Sequence, residues 1–418
     1  MNLVIDRQSP RLRGADSGNG QDSESAEMSG QSIICFAKDF SDVFTSNHHV
    51  MLELARRNKV LWINSVATRA PNLASGRDLR RILRKLAGFF RGAQQVRPNL
   101  WVYTPIVLPF PHSKIAQRFN RQLLKFMIGR LRRRLGMSDV QLWTFLPNVD
   151  DYVGVLGERI SVYYCVDEWS KFTYVDGART AAAEQRLLRK VDLVFATAQS
   201  LVDARLPINP RTYLARHGVQ REQFAQAMES CTSVPADIAD LPSPVIGFYG
   251  TIQDWIDQDL ICHMAQRHPE WSIVMIGGVF TDVSRLKQFP NIHLLGRREH
   301  AQLPAYCKGF DVGIIPYVLH ERILHVNPIK LREYLSAGLP VVSTAFPEAQ
   351  LYPQWCATTS TTAQFTAAVE SALKNDSSQL RHQRSTAMRA ETWEQKVSLL
   401  CKYVTDVLQT KQAAGGQR

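Results

Sequence analysis

The chain has 418 residues, 50 of them Lys or Arg and 38 Asp or Glu, for a formal net charge of +12. That length can bury two hydrophobic cores, and the positive balance points to an anionic partner: nucleic acid, anionic lipid or a phosphorylated substrate. Seven cysteines without a Cys-x-x-Cys argue against a disulfide framework or a metal knuckle. No run of about 18 apolar residues offers a membrane span, and the N-terminus carries no apolar signal core, so a cytoplasmic protein is expected.

In chain order, residues 1–30 are rich in Gly, Ser, Asp, Gln and Arg and read as a disordered arm. Ser32 to Ala37 is a buried-strand pattern, followed by a loop with Asp39 and Asp42, a helix from about Asn47 and a strand Val60 to Asn64. This opening is Rossmann-like, but it lacks Gly-x-Gly-x-x-Gly, so dinucleotide binding has no support. Arg77 to Arg97 combines an apolar stripe (Leu79, Ile82, Leu83, Leu86, Phe89, Phe90) with a cationic remainder, and Lys114 to Leu135 is a second basic helix. Both have the make-up of helices that lie on an anionic membrane surface; the alternative is an ordinary amphipathic helix packed on a sheet. Strands are expected at Leu100 to Pro105, Val140 to Phe145, Ile160 to Val166, Val191 to Thr197 and Thr212 to Val219. Asp167 and Glu168 stand at the carboxyl end of one of these, where open α/β sheets gather their chemistry. A carboxylate there, or Asp39 or Asp42 on the first loop, could serve as general base, and Asp167 could equally begin a helix. His217 is a lone histidine of the kind that is usually structural.

Residues 223–244 hold Pro235, Pro242 and Pro244 and read as a linker between an N-terminal unit (31–222) and a second α/β unit (245–388), with 389–418 a terminal helix. The second unit opens with Val245 to Ile252, a strand running into Gly250 and Thr251, where glycine allows close approach of a ligand. Asp254 and Asp257 suit helix capping more than phosphate binding. Further strands are expected at Trp271 to Gly277, Ile292 to Gly296 (followed by Arg297) and Asp311 to Tyr317. Val326 to Thr344, VNPIKLREYLSAGLPVVST, reads as loop, short helix and strand: Pro328 suits a helix start, Gly338 its stop, and Val341 to Thr344 a buried strand. Lys330 and Glu333, one turn apart near the helix N-terminus, suit a phosphate and a pair of ribose hydroxyls, or else form a solvated surface pair. Arg322, on the loop before this helix, could grip a diphosphate or stay solvated.

The wording of that stretch resembles the nucleotide-sugar site of GT-B glycosyltransferases close to family 4, in which a helix ending in Ala-Gly-x-Pro-Val-Val carries a glutamate for the donor's ribose. Glu333 matches the second glutamate of a Glu-x7-Glu pattern, and His325 stands where the first would be. Asn-Pro-x-Lys followed by Glu-Tyr-Leu matches a bacterial polysaccharide-type branch. The resemblance spans about Ile33 to Val407 and is specific from Pro244 to Pro347. It implies two Rossmann-like domains with parallel sheets facing a central cleft, acceptor in the first half and nucleotide-sugar in the second. It places donor contacts at Gly250, Thr251, Arg297, Arg322, Asn327, Lys330 and Glu333. The implied reaction is transfer of a hexosyl or uronosyl group, from a UDP-sugar, to a lipid-linked or polysaccharide-precursor acceptor at the membrane surface. No cofactor is implied, and with no DxD in a suitable place no divalent metal is expected. A GT-B-fold nucleotide-sugar epimerase and a basic RNA-binding protein are the alternatives; nucleic acid is not the expected partner.

Overall fold

The computed structural model describes residues 28–42, 44–66, 85, 87–108, 110, 113–172 and 175–415. Residues 1–27 of the expected disordered arm and residues 77–84 and 86 of the expected cationic helix at Arg77 to Arg97 lie outside the described residues; Met28 is buried, and 87–90 are helical. The last four residues of that stretch are described and are not helical: Gln94–Arg97 form an edge strand antiparallel to the next one.

Among the described residues, two sheets carry the chain. The first has eight strands, β1 Ser32–Phe36, β2 Lys59–Ile63, β3 Gln94–Arg97, β4 Leu100–Tyr103, β5 Gln141–Thr144, β6 Ile160–Cys165, β7 Leu193–Ala196 and β8 Thr212–Leu214, in the order β3-β4-β2-β1-β5-β6-β7-β8. All its pairings but β3–β4 are parallel. The second has six parallel strands, β9 Val245–Tyr249, β10 Ser272–Ile276, β11 Ile292–Gly296, β12 Val312–Ile315, β13 Val341–Thr344 and β14 Cys356–Thr359, in the order β11-β10-β9-β12-β13-β14. Each sheet winds outward both ways from its first strand, the Rossmann order, which leaves a crevice where the winding reverses.

The strands are apolar on both sides because helices cover both faces. On β1, Ile34 and Phe36 enter one core while Ile33 and Cys35 enter the other. Against the first core lies α2, Lys114–Leu135, through Leu124 and Ile128. Against the second lie α1, Ser46–Ala55, and the last helix of the chain, Trp393–Gly415. That last helix follows the second sheet in sequence yet buries Val397, Leu400 and Val404 on the first. It crosses at Val219, whose N–H donates to Glu391 O at 2.9 Å, beside Gly218, where an added Cβ would stand 2.7 Å from Trp393 Cα. Residues 223–244 hold short helices at Arg221–Ala225 and Ala236–Ala239 rather than bare linker. All seven cysteines are free, and only Cys231 is exposed.

Candidate active site

In the second sheet the winding reverses between β9 and β12, and ligands of such sheets bind beyond the carboxyl ends of those strands. β9 ends at Tyr249 and Gly250. β12 runs out through Pro316 into Tyr317. The helix Ile329–Ser336 begins beside them, and no side chain caps its N-terminus, so its first N–H groups and its positive pole stay open. Lys330 Nζ donates to Tyr317 Oη at 2.6 Å and lies 4.8 Å over the Phe248 ring. A Cβ on Gly250, whose φ is +139°, would stand 2.7 Å from that ammonium. Glycine thus leaves room for the lysine and supplies a backbone shape that other residues rarely adopt.

Glu333 is not the solvated surface partner that spacing alone allows. It is buried, its Oε2 accepting from Tyr249 Oη and its Oε1 facing His300 Nε2, both at 2.9 Å. Burial alone would lower the His300 pKa, but the bond and charge of Glu333 outweigh it and raise it. Each carboxylate oxygen keeps a further acceptor site for a ligand hydroxyl.

Across the cleft, Asp167 follows β6 and is half-buried. Burial pushes its carboxyl up to about 7, with the Arg322 charge pulling the other way. The Arg322 guanidinium lies 4.3 Å from the Trp255 ring of the second half and 5.2 Å from the Phe172 ring of the first. Lys171 Nζ and Glu321 Oε1 pair at 2.8 Å on the same side. Asp167 does not cap a helix; the nearby caps are Asp176 for Gly177–Lys190 and, in the second half, Asp257 for Gln258–Arg267.

The other expected site residues divide. Thr251 is exposed next to Gly250, and Arg297 is exposed at the end of β11. Asn327 is buried with both ends of its amide engaged, donating to Glu348 Oε2 and accepting from Arg332 Nη1, so the structure gives it a framework position instead of an open one. Asp39 accepts from Ser65 N at 3.0 Å and Ser65 Oγ at 2.6 Å, while Asp42 is exposed on the same loop. Both stand beyond the end of β1, two strands from Asp167 in the sheet. Sequence reasoning missed Tyr249 and His300, for which no local pattern exists. It also missed His49, which stacks on Trp393 with ring centroids 4.7 Å apart and lies 6.3 Å from His300. Burial first, then the neighbouring histidines, lower His49 to about 3, so it is neutral at ordinary pH. His217 is buried with Nδ1 unpartnered and is likewise lowered to about 3 by burial. Among the described residues no group of three or more His, Cys, Asp or Glu is placed to hold a metal ion.

Two Rossmann-type sheets, crossed by a terminal helix and meeting over such a cleft, make this a GT-B fold. Residues 243–375, the part that holds Gly250, Lys330 and Glu333, match the family described as Glycosyl transferases group 1. Over 174 residues the chain is 29% identical to TuaH of Bacillus subtilis (strain 168), named as a teichuronic acid biosynthesis glycosyltransferase; the match spans 40% of this chain and 43% of that protein, less than half of each. Solved structures extend the likeness to the whole molecule. An E. coli trehalose-6-phosphate structure bound with UDP-2-fluoro glucose superposes with a TM-score of 0.61 at 10% identity, covering 91% of this chain and 99% of that one. Sucrose-phosphate synthase from Thermosynechococcus elongatus gives 0.56 at 13% identity, covering 93% and 99%. The catalytic domain of starch synthase IV from Arabidopsis thaliana, bound to ADP and acarbose, gives 0.58 at 9%, covering 91% and 100%. Identities this low carry the fold alone.

Proposed function

We propose that the chain is a glycosyltransferase moving a sugar from a UDP-sugar to a lipid-linked or polysaccharide-precursor acceptor at an anionic membrane surface. The observation that carries this reading is the helix Ile329–Ser336, with its open N-terminus, its Lys330 ammonium beside Gly250 and its buried Glu333 held by Tyr249 and His300. In this reading the donor diphosphate lies on the open N–H groups and Lys330, and the ribose hydroxyls donate to Glu333. The acceptor oxygen attacks the anomeric carbon as the bond to the diphosphate oxygen breaks. Lys330 and Arg322 offset the charge that develops on the leaving diphosphate. If the reaction inverts, Asp167 takes the acceptor proton. The group 1 match covers the donor half, a relative named for teichuronic acid biosynthesis supports the polymer-precursor acceptor, and a fold neighbour holds a UDP-sugar.

The test is UDP release from a set of UDP-sugars with and without extracted lipid acceptor. Loss of release in Lys330→Ala and Glu333→Gln proteins that melt like the parent is the expected result. Turnover unchanged in both removes the assigned roles. An isomerised sugar formed without acceptor would instead identify an epimerase.

A further inference from the structure

Helix α2 keeps its largest apolar side chains away from the sheet. Its buried positions are Ala116, Asn120, Leu124 and Ile128. Ile115 is 82% exposed, Phe119 52% and Phe126 64%, and Phe110 on the loop before it 56%. Between them on the same outward face stand Arg118, Lys125 and Arg130. The rotation of the helix is fixed: Asn120 accepts from Leu108 N at 2.7 Å and donates to Leu108 O at 3.0 Å, so turning Phe119 inward would break that pair. Single exposed apolar residues are ordinary, but a row of them at helical spacing among cations is an interaction face.

We infer that this face docks on an anionic phospholipid bilayer, with Ile115, Phe119 and Phe126 at the acyl boundary and Arg118, Lys125 and Arg130 against the head-group phosphates. The inference rests on the reading above that the acceptor sits at a membrane. Charge complementarity decides the occupant. Lys114–Leu135 holds eight basic residues and no acid, so a twofold contact with a second copy would set like charges against each other. Nucleic acid would be served by aromatics on exposed strands, whereas the strongly exposed aromatics among the described residues lie on loops and helices. Topology then orients the cleft. β4 ends at Tyr103 on the carboxyl edge of the first sheet, and α2 starts from that edge, so Phe110, Ile115 and Phe119 lie at the cleft's rim. A lipid-linked acceptor in the docked bilayer meets the cleft from the same side.

The test is flotation of the full chain with vesicles of phosphatidylcholine alone or mixed with phosphatidylglycerol. The expected result is flotation only with the mixed vesicles, weakened by about thirtyfold in the double variant Arg118→Gln/Lys125→Gln and similarly in Phe119→Ser/Phe126→Ser. Both variants should melt like the parent and keep its UDP release, so a failed docking and a failed transferase reading give different results. Equal flotation of parent and variants overturns the inference, as does absence of flotation. So does a dimer in sedimentation that Phe119→Ser/Phe126→Ser dissolves, or salt-sensitive RNA binding that replaces vesicle binding.

Discussion

At the scale of single residues, Asp167 links the cleft to pH. Its carboxyl titrates near 7 in the folded chain because burial disfavours the charge, against about 3.9 in an unfolded one. Over that window the native state binds the extra proton, so this group makes stability fall as pH rises from about 4 to about 7. As a base it must be ionised, so kcat/KM should rise with pH through the same upper limit. Asp167→Asn should flatten that profile and cost about 10²–10⁴ in rate, the usual range for a positioned base. A profile unchanged in the variant assigns the base elsewhere, to Asp39 or Asp42. Glu333 calls for a careful choice of variant. Glu333→Ala would orphan the Tyr249 hydroxyl and His300, at about 1–3 kcal/mol for each buried group left unmade. Glu333→Gln keeps the shape and should raise the KM for donor with a smaller loss of stability. The His300 charge has the same sign of linkage as Asp167: its pKa is raised on folding, so its contribution is complete below the unfolded pKa and is lost as pH rises through the folded one.

At the scale of elements, two helices use the same polymer differently. The helix Ile329–Ser336 turns Lys330 and Glu333 to the cleft and sinks Leu331, Tyr334 and Leu335 in the core. Lys330→Ala should therefore lower kcat by about 10²–10³, as for loss of one preorganised donor, with little change in melting. α2 spends small and medium residues on the core. Leu124→Ala should cost about 2–5 kcal/mol in urea unfolding, whereas Phe119→Ser should stay within about 0.5 kcal/mol. A large loss at Phe119 would mean that the outward face is packed in solution.

At the scale of the molecule, the halves are tied by a chain of charges. Arg216 Nε meets Glu348 Oε2 at 2.9 Å, Glu348 holds Asn327, Asn327 holds Arg332, and Arg332 and Lys396 share Glu391. Gln199 N–H also donates to Glu348, and His325 Nδ1 lies 2.9 Å from Ser200 Oγ. Glu348→Ala would strip a nearly fully buried carboxylate from these partners and should destabilise by about 3–5 kcal/mol, read as a lower urea midpoint. Since Lys330 and Arg322 supply positive charge on this side of the cleft, UDP release should persist in EDTA; loss of turnover there would assign that task to a metal ion.

The sequence by itself determined the two α/β halves and the helix Ile329–Ser336, because period and punctuation are local. Pro328 and Gly338 bracket the helix and largely apolar runs mark β1 and β9, whatever the rest of the chain does. The tertiary structure alone decided that Tyr249 and His300 clasp Glu333, since their 84- and 33-residue separations leave no pattern in a linear reading. It also decided that Asn327 belongs to the frame, that Asp167 is half-buried opposite Arg322, and that Phe119 and Phe126 face outward. Burial and charge coupling depend on which surfaces meet, and that is fixed only when both sheets and the returning last helix are in place.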